Sequence, residues 1–114
     1  MRYGAKVQKG IFDSVASRKI VTDDIDLRFQ RLLENKDYRW QKILEELGSR
    51  QSFGKASCIN WLSSVEFLGL QNARLELKCS EEFKRNYVEQ HFLGNIKSAA
   101  KSVDMSCEVV VLKG

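Results

Sequence analysis

The chain has 114 residues, 43% hydrophobic and 30% charged, a size and balance that fit one globular domain with a modest core. Nineteen Lys and Arg stand against fifteen Asp and Glu, a net charge of +4; this permits weak contact with nucleic acid without requiring it, because affinity depends on how the charge clusters. No apolar run approaches the roughly 20 residues of a transmembrane helix, His91 is the one histidine, and a His-based metal site is therefore disfavoured.

The N-terminus, MRYGAKVQKGIF, has basic residues but no continuous apolar stretch, so it does not read as a signal peptide. Residues 1–21 show no strong period and mix Lys6, Lys9, Arg18 and Lys19 with Gly4, Gly10, Ser14 and Ser17. This is the composition of a loose arm or a short extra element. TDDIDLRFQRLLEN predicts a helix, with Thr22 as N-cap, Asp23 and Asp24 at the positive end of its dipole, and Ile25, Phe29, Leu32 and Leu33 as the apolar stripe. The stretch 34–37, ENKD, breaks the pattern.

YRWQKILEELG follows at 38–48. Asp37 is a candidate cap, Trp40, Ile43, Leu44 and Leu47 form one apolar stripe, and Gly48 sits where a C-terminal glycine belongs. After a polar connection over 49–57, Cys58, Trp61, Leu62 and Val65 repeat the stripe of a second helix, with Ser52 or Ser57 near its start. The period then changes. VEFLGL and RLELKC flank QNA, and in the second run Leu75, Leu77 and Cys79 alternate with Arg74, Glu76 and Lys78, as in a half-exposed hairpin strand. From Ser80, a long helix is predicted, with Glu81 and Glu82 in its first turn. Phe83, Tyr87, Val88, Phe92, Ile96 and Val103 supply its buried face, and Gly94 is the expected kink. CEVVVLK closes the chain as a β-branched strand. The order helix, helix, strand, strand, helix, strand gives an α+β fold: a three-stranded sheet with helices on one face. An arm and extra helix (1–36) precede this main domain (37–114).

No reactive constellation stands out. GxxxxGK[ST], GxGxxG and GxSxG are all absent. Cys58, Cys79 and Cys107 are odd in number and widely spaced, which reads as reduced core or strand residues of a cytosolic protein. Cys58 or Cys79 with His91 would be the candidate nucleophilic pair, but both cysteines lie on apolar stripes and the core reading is favoured. Glu45–Glu46 and Glu81–Glu82 are neighbours about 100° apart on a helix and do not share a site. The sequence thus names no catalytic residue, metal ligand or cofactor. For nucleic acid the candidates are Lys84, Arg85, Lys97 and Lys101 on the last helix, together with the basic arm. GSRQSFG has five residues between its glycines and is not the GxxG clamp of a KH module.

Trp40 with QKILEEL, INWL with Trp61, and ARLELKCSEEFKRNYVEQHFLGNI together resemble the N-terminal domain of the bacterial replication initiator DnaA, over about residues 40–112. The pattern is one of apolar and aromatic positions rather than a catalytic signature. Where family members usually carry prolines, this chain has Ser64 and Ser80. The first 35 residues have no counterpart, and neither do the ATPase and DNA-binding domains of a full initiator. The chain is therefore expected to be an excised fragment or a separate initiator-like protein with the domain at its C-terminal end.

The resemblance implies a KH-like, non-enzymatic, cytoplasmic module of replication initiation. Its implied partners are the replicative helicase and initiation regulators, a second copy of itself, and, weakly, single-stranded DNA. The implied partner-binding residues are Trp40, with Ile43 and Leu44, for self-association, and Phe83 for the helicase. The family's acidic contact falls near Ser57, which is not acidic, so that role is weakened. The tryptophan of INWL is a core residue in the family, which places Trp61 in the core. Two readings of Trp40 stand: a partly exposed anchor, or a ring covered by the extra helix through Phe29, Leu32 or Leu33. Phe83 is likewise an exposed anchor or the first buried residue of its helix. The alternative function is a small single-stranded nucleic-acid-binding module.

Overall fold

The computed structural model describes residues 24–114; the arm over 1–21, the expected cap Thr22 and Asp23 lie outside them. Helix α1 covers 24–33, α2 Tyr38–Gly48 and α3 Gly54–Ser57. A π-helical turn, Cys58–Leu62, follows directly. Strands β1 (Val65–Gln71) and β2 (Arg74–Cys79) precede α4 (Glu82–His91), α5 (Leu93–Val103) and β3 (Val109–Lys113). The chain is α+β, as its periodicities imply.

Local chemistry explains the boundaries of α2. The Asp37 side chain accepts a hydrogen bond from the Arg39 backbone N–H at 2.8 Å, which satisfies one of the free donors of the first turn. Before it, Asn35 takes φ +59° and turns the chain back from α1 into α2. Gly48 is used differently from the expectation. The residue closing the helix, Ser49, is right-handed, so no left-handed glycine cap is needed. A Cβ at Gly48 would instead lie 2.8 Å from the tip of the Phe29 ring. The glycine is there because α1 passes so close.

Two expected elements are redrawn. The second helix is a single α turn opening into the π turn, and its start at Gly54 lacks a serine cap. The long helix after Ser80 is two helices. The break falls at Phe92 (φ −122°, ψ −4°), not at Gly94, which lies inside α5 with open space around it. The ladder runs through the break: the Phe92 N–H donates to Val88 O at 2.8 Å, and Ile96 N–H donates to Phe92 O at 3.0 Å. The bend therefore costs little hydrogen bonding.

The sheet order is β1-β2-β3. β1 and β2 form an antiparallel hairpin, and β3 adds parallel to β2 on its other side. The hairpin turn uses Asn72 and Ala73, both at positive φ (54° and 64°), the geometry whose twist matches paired strands. The Ala73 carbonyl accepts from the Glu108 and Val109 N–H groups at 2.8 and 3.2 Å, tying the turn to the start of β3. Register slips once, between Phe67 and Gly69, leaving Leu68 as a bulge. Leu75, Leu77 and Cys79 point into the core, while Arg74 and Lys78 face water. Glu76 on that outer face pairs with Arg74 and Lys113 at 2.8 and 3.3 Å. Its carboxyl is held below its ordinary pKa by the hydrogen bond from Arg74, then by that from Lys113.

One core unites all of this. Trp40, Ile43, Leu44 and Leu47 of α2, Leu75 and Leu77 of β2, Val88 of α4 and Ile96, Ala99 and Ala100 of α5 are fully enclosed. α2 packs chiefly on α5. Phe29, Leu32 and Leu33 of α1 belong to the same buried cluster.

Candidate functional site

Among the described residues, exposed aromatics occur at Tyr38, at the start of α2, and as a group on α4. Phe83, Tyr87 and His91 recur at i, i+4 and i+8 on α4, which puts them on one stripe of the helix. The buried residue of α4 is Val88, one position and hence about 100° round from Tyr87. The expected buried face of this helix had included both, and two such neighbours cannot both point inward. The outward stripe leaves Phe83 74% exposed and Tyr87 36% exposed.

Trp61 supports this stripe from below. It sits in the π turn, a widened geometry often found at functional sites. Its indole stacks on Tyr87 with centroids 4.1 Å apart and planes 5° from parallel. Phe83 lies 6.3 Å from Trp61 and 6.5 Å from Tyr87. His91 packs against Tyr87 at 4.4 Å. Phe92 backs the group, 5.6 Å from Tyr87, and meets Phe53 edge-on at 4.9 Å. The rings are held by one another, so Phe83 presents a broad apolar face already fixed in position.

The start of α4 is pinned to the start of β1. Ser64 Oγ donates to Glu81 Oε2 at 2.6 Å, and Lys84 Nζ donates to Ser64 Oγ at 3.4 Å. Arg85 Nη1 donates to the Cys79 carbonyl at 3.0 Å. These residues orient the aromatic stripe.

The predicted residues fare unequally. Phe83 is exposed, which removes its core alternative. Trp61 is only half-buried, with one face on the core and the other under Tyr87, so the expectation of a core tryptophan is corrected. Trp40, Ile43 and Leu44 have no exposed surface, so of the two readings of Trp40 the part-exposed anchor is excluded. The Trp40 ring stacks on Phe67 at 6.2 Å, and its Nε1–H finds no partner among the described residues. Phe29, Leu32 and Leu33 of α1 belong to the same buried cluster. Ser57, half-buried, ends α3 one turn before Trp61 and caps nothing.

The four basic residues do not form one groove. Lys84 and Arg85 are engaged as described. Lys97 and Lys101 lie on α5, one turn apart, with Lys101 Nζ 3.9 Å from Glu108. The sequence reading missed Tyr87 and His91 as surface residues; the signal was their spacing from Phe83.

Reactive chemistry finds no footing among the described residues. All three cysteines are buried and unpaired. Burial pushes the Cys58 thiol up to about 12, which keeps it protonated and poorly nucleophilic. No group of three His, Cys, Asp or Glu residues is placed to hold a metal ion, and no described helix is long and apolar enough to cross a membrane. A cleft of about 400 Å³ beside Asn35, Asp37, Ser63 and Phe67 is open to water, and its Asp37 is engaged with Arg39 at 3.1 Å.

Residues 37–102, more than half of the chain, match the model of the DnaA N-terminal domain, and the chain belongs to that family. No curated protein matches it significantly. The family assignment makes the 37–102 segment an interaction domain of the replication-initiator type.

Proposed function

We propose that this chain docks a protein partner in DNA replication initiation, and that Phe83 is the anchor. The observation that carries the reading is a phenylalanine 74% exposed on a surface where its neighbours fix its orientation. Leaving such a ring in water is unfavourable unless a partner covers it, and a pre-placed aromatic loses little entropy when one does. By resemblance, the partner is the replicative helicase or an initiation regulator in the bacterial cytoplasm. The test is sedimentation of the full chain with the host's replicative helicase. Wild type should co-sediment, and Phe83→Ala should weaken the complex by about 30-fold or more, the loss of roughly 2 kcal/mol typical of a hot spot. Equal binding by the two would remove Phe83 from the interface.

The second reading is single-stranded nucleic acid, favoured by exposed rings flanked by Lys84, since any base can stack on an aromatic. It is the weaker one because Arg85 and Lys101 are engaged within the fold. Salt separates the two: phosphate-driven binding falls steeply between low and moderate salt, whereas an aromatic anchor changes little.

A further inference from the structure

Residues 1–21 carry the whole net charge of the chain. They hold five Lys and Arg against one Asp, whereas the rest of the chain holds fourteen of each sign. Their apolar residues sit beside that charge: Ile11, Phe12 and Val15 are followed by Arg18 and Lys19. Such a segment complements an apolar surface with an acidic margin. α4 presents one. Phe83, Tyr87 and His91 form one edge of its exposed face. Glu82 and Glu89, seven positions apart and so on one stripe, form the other, and both are exposed. Arg85, four positions before Glu89, is turned instead to the Cys79 carbonyl at 3.0 Å.

The path of the chain brings the two together. The first turn of α1 lies beside α3, where Lys55 Nζ donates to Asp26 Oδ1 at 2.8 Å. Two positions before Lys55, Phe53 meets Phe92 edge-on at 4.9 Å; six positions after it, Trp61 stacks on Tyr87 at 4.1 Å. The N-terminal segment thus joins the fold next to the elements that hold the aromatic cluster. Residues 12–23, fully extended, reach up to about 40 Å from that point at ~3.3 Å per residue. We propose that residues 11–21 are a built-in competitor for the Phe83 face. In the closed state Ile11, Phe12 and Val15 lie on Phe83 and Tyr87, with Arg18 and Lys19 toward Glu82 and Glu89, and a partner has to displace them. Being tethered, the segment acts at an effective concentration on the order of millimolar, so a weak contact suffices. The cover stands on composition and on the point of attachment; its regulatory consequence rests on the docking role of Phe83 proposed above.

Acrylamide quenching of tryptophan fluorescence in the full chain tests the cover. Trp40 is fully enclosed, so the quenchable emission reports Trp61 at the aromatic face. Ile11→Ser with Phe12→Ser should raise the quenching constant by about two-fold or more, as a populated cover is lost. Arg18→Glu with Lys19→Glu should raise it too, and circular dichroism should be unchanged in both. Quenching that stays at the wild-type value in both variants overturns the proposal. So does protection that appears only as chain concentration rises, which would put the segment of a second copy on the face. The host's replicative helicase then supplies the second readout: both variants should bind it about two- to ten-fold more tightly than wild type. Raised quenching with unchanged affinity overturns the competition. Unchanged quenching with binding that still needs Phe83 refutes the cover and leaves the docking role standing. Raised quenching with no binding by any of the chains refutes the docking role and leaves the cover standing.

Discussion

Trp40→Ala tests the enclosure of the α2 tryptophan. Its side chain is fully enclosed, and burial of an aromatic of this kind removes roughly 200 Å² from water, worth about 5 kcal/mol at ~25 cal/mol per Å². The indole Nε1–H has no partner among the described residues, which returns about 1–2 kcal/mol of desolvation cost. Truncation should therefore destabilise the domain by about 3–4 kcal/mol, within the ~3–5 kcal/mol of large aromatic-to-alanine changes in cores. Against a total of roughly 5–15 kcal/mol for a small domain, this is a large fraction. Urea unfolding followed by circular dichroism reads it as a lower midpoint at unchanged slope. Trp40→Phe should sit within about 1.5 kcal/mol of wild type, because it keeps most of the apolar volume and deletes the orphan N–H. An exposed anchor would behave otherwise, losing less than ~0.5 kcal/mol on truncation. A loss below about 1 kcal/mol for Trp40→Ala would refute the burial argument.

Phe83→Ala should shift stability by less than about 1 kcal/mol, since most of the ring is already in water; a fall in melting temperature as large as that of Trp40→Ala would make it a core residue. Ala73→Gly should stabilise the chain by roughly 1 kcal/mol, because Ala73 sits at φ +64° where a Cβ is strained, and a melting temperature at or below wild type would count against that strain. The three thiols should resist a disulfide reagent in the native state and react on unfolding, as all are buried and Cys58 is pushed up to about 12; rapid native labelling would contradict it. The Asp37 carboxyl is held below its usual 3.8 by hydrogen bonds from the Arg39 side chain and backbone. A depressed folded value means that its contribution is present above pH 3.8 and is lost as the pH falls through the folded value. The acid limb of thermal melts should thus be shallower in Asp37→Asn, and coincident limbs would show the shift to be inconsequential.

Strongly periodic segments were the legible ones. The α2 stripe, the alternation in β2 and the β-branched run of β3 each read correctly because burial repeats at the period of the backbone. Asp37 read correctly as a cap because its oxygen has a local job. The break at Phe92 was not legible, since glycine at 94 is the stronger local signal and the actual break follows how the rings of Trp61, Tyr87 and Phe92 meet across elements. For the same reason Tyr87 was assigned inward, and Phe83 left between buried face and exposed anchor: aromatic identity outweighed a helical wheel that places both off the Val88 face. Trp40 stood open between an exposed anchor and a covered ring, and only the assembled core, with Phe67 stacked on the indole and α1 in the same cluster, shows the ring enclosed.

The parallel pairing of β2 with β3 also sets the order in which the domain is completed. Arg74 pairs with Val109 across the whole length of α4 and α5, whereas the β1–β2 hairpin closes across two residues. Local closures come quickly and distant ones late. Until Val109–Lys113 emerges from the ribosome, β2 carries an open edge beside Leu75 and Leu77, the kind of template on which chains aggregate. The five residues of β3 are thus a closing seam. A nascent chain stalled before them would present a half-finished sheet to chaperones, with the aromatic face of α4 already on display.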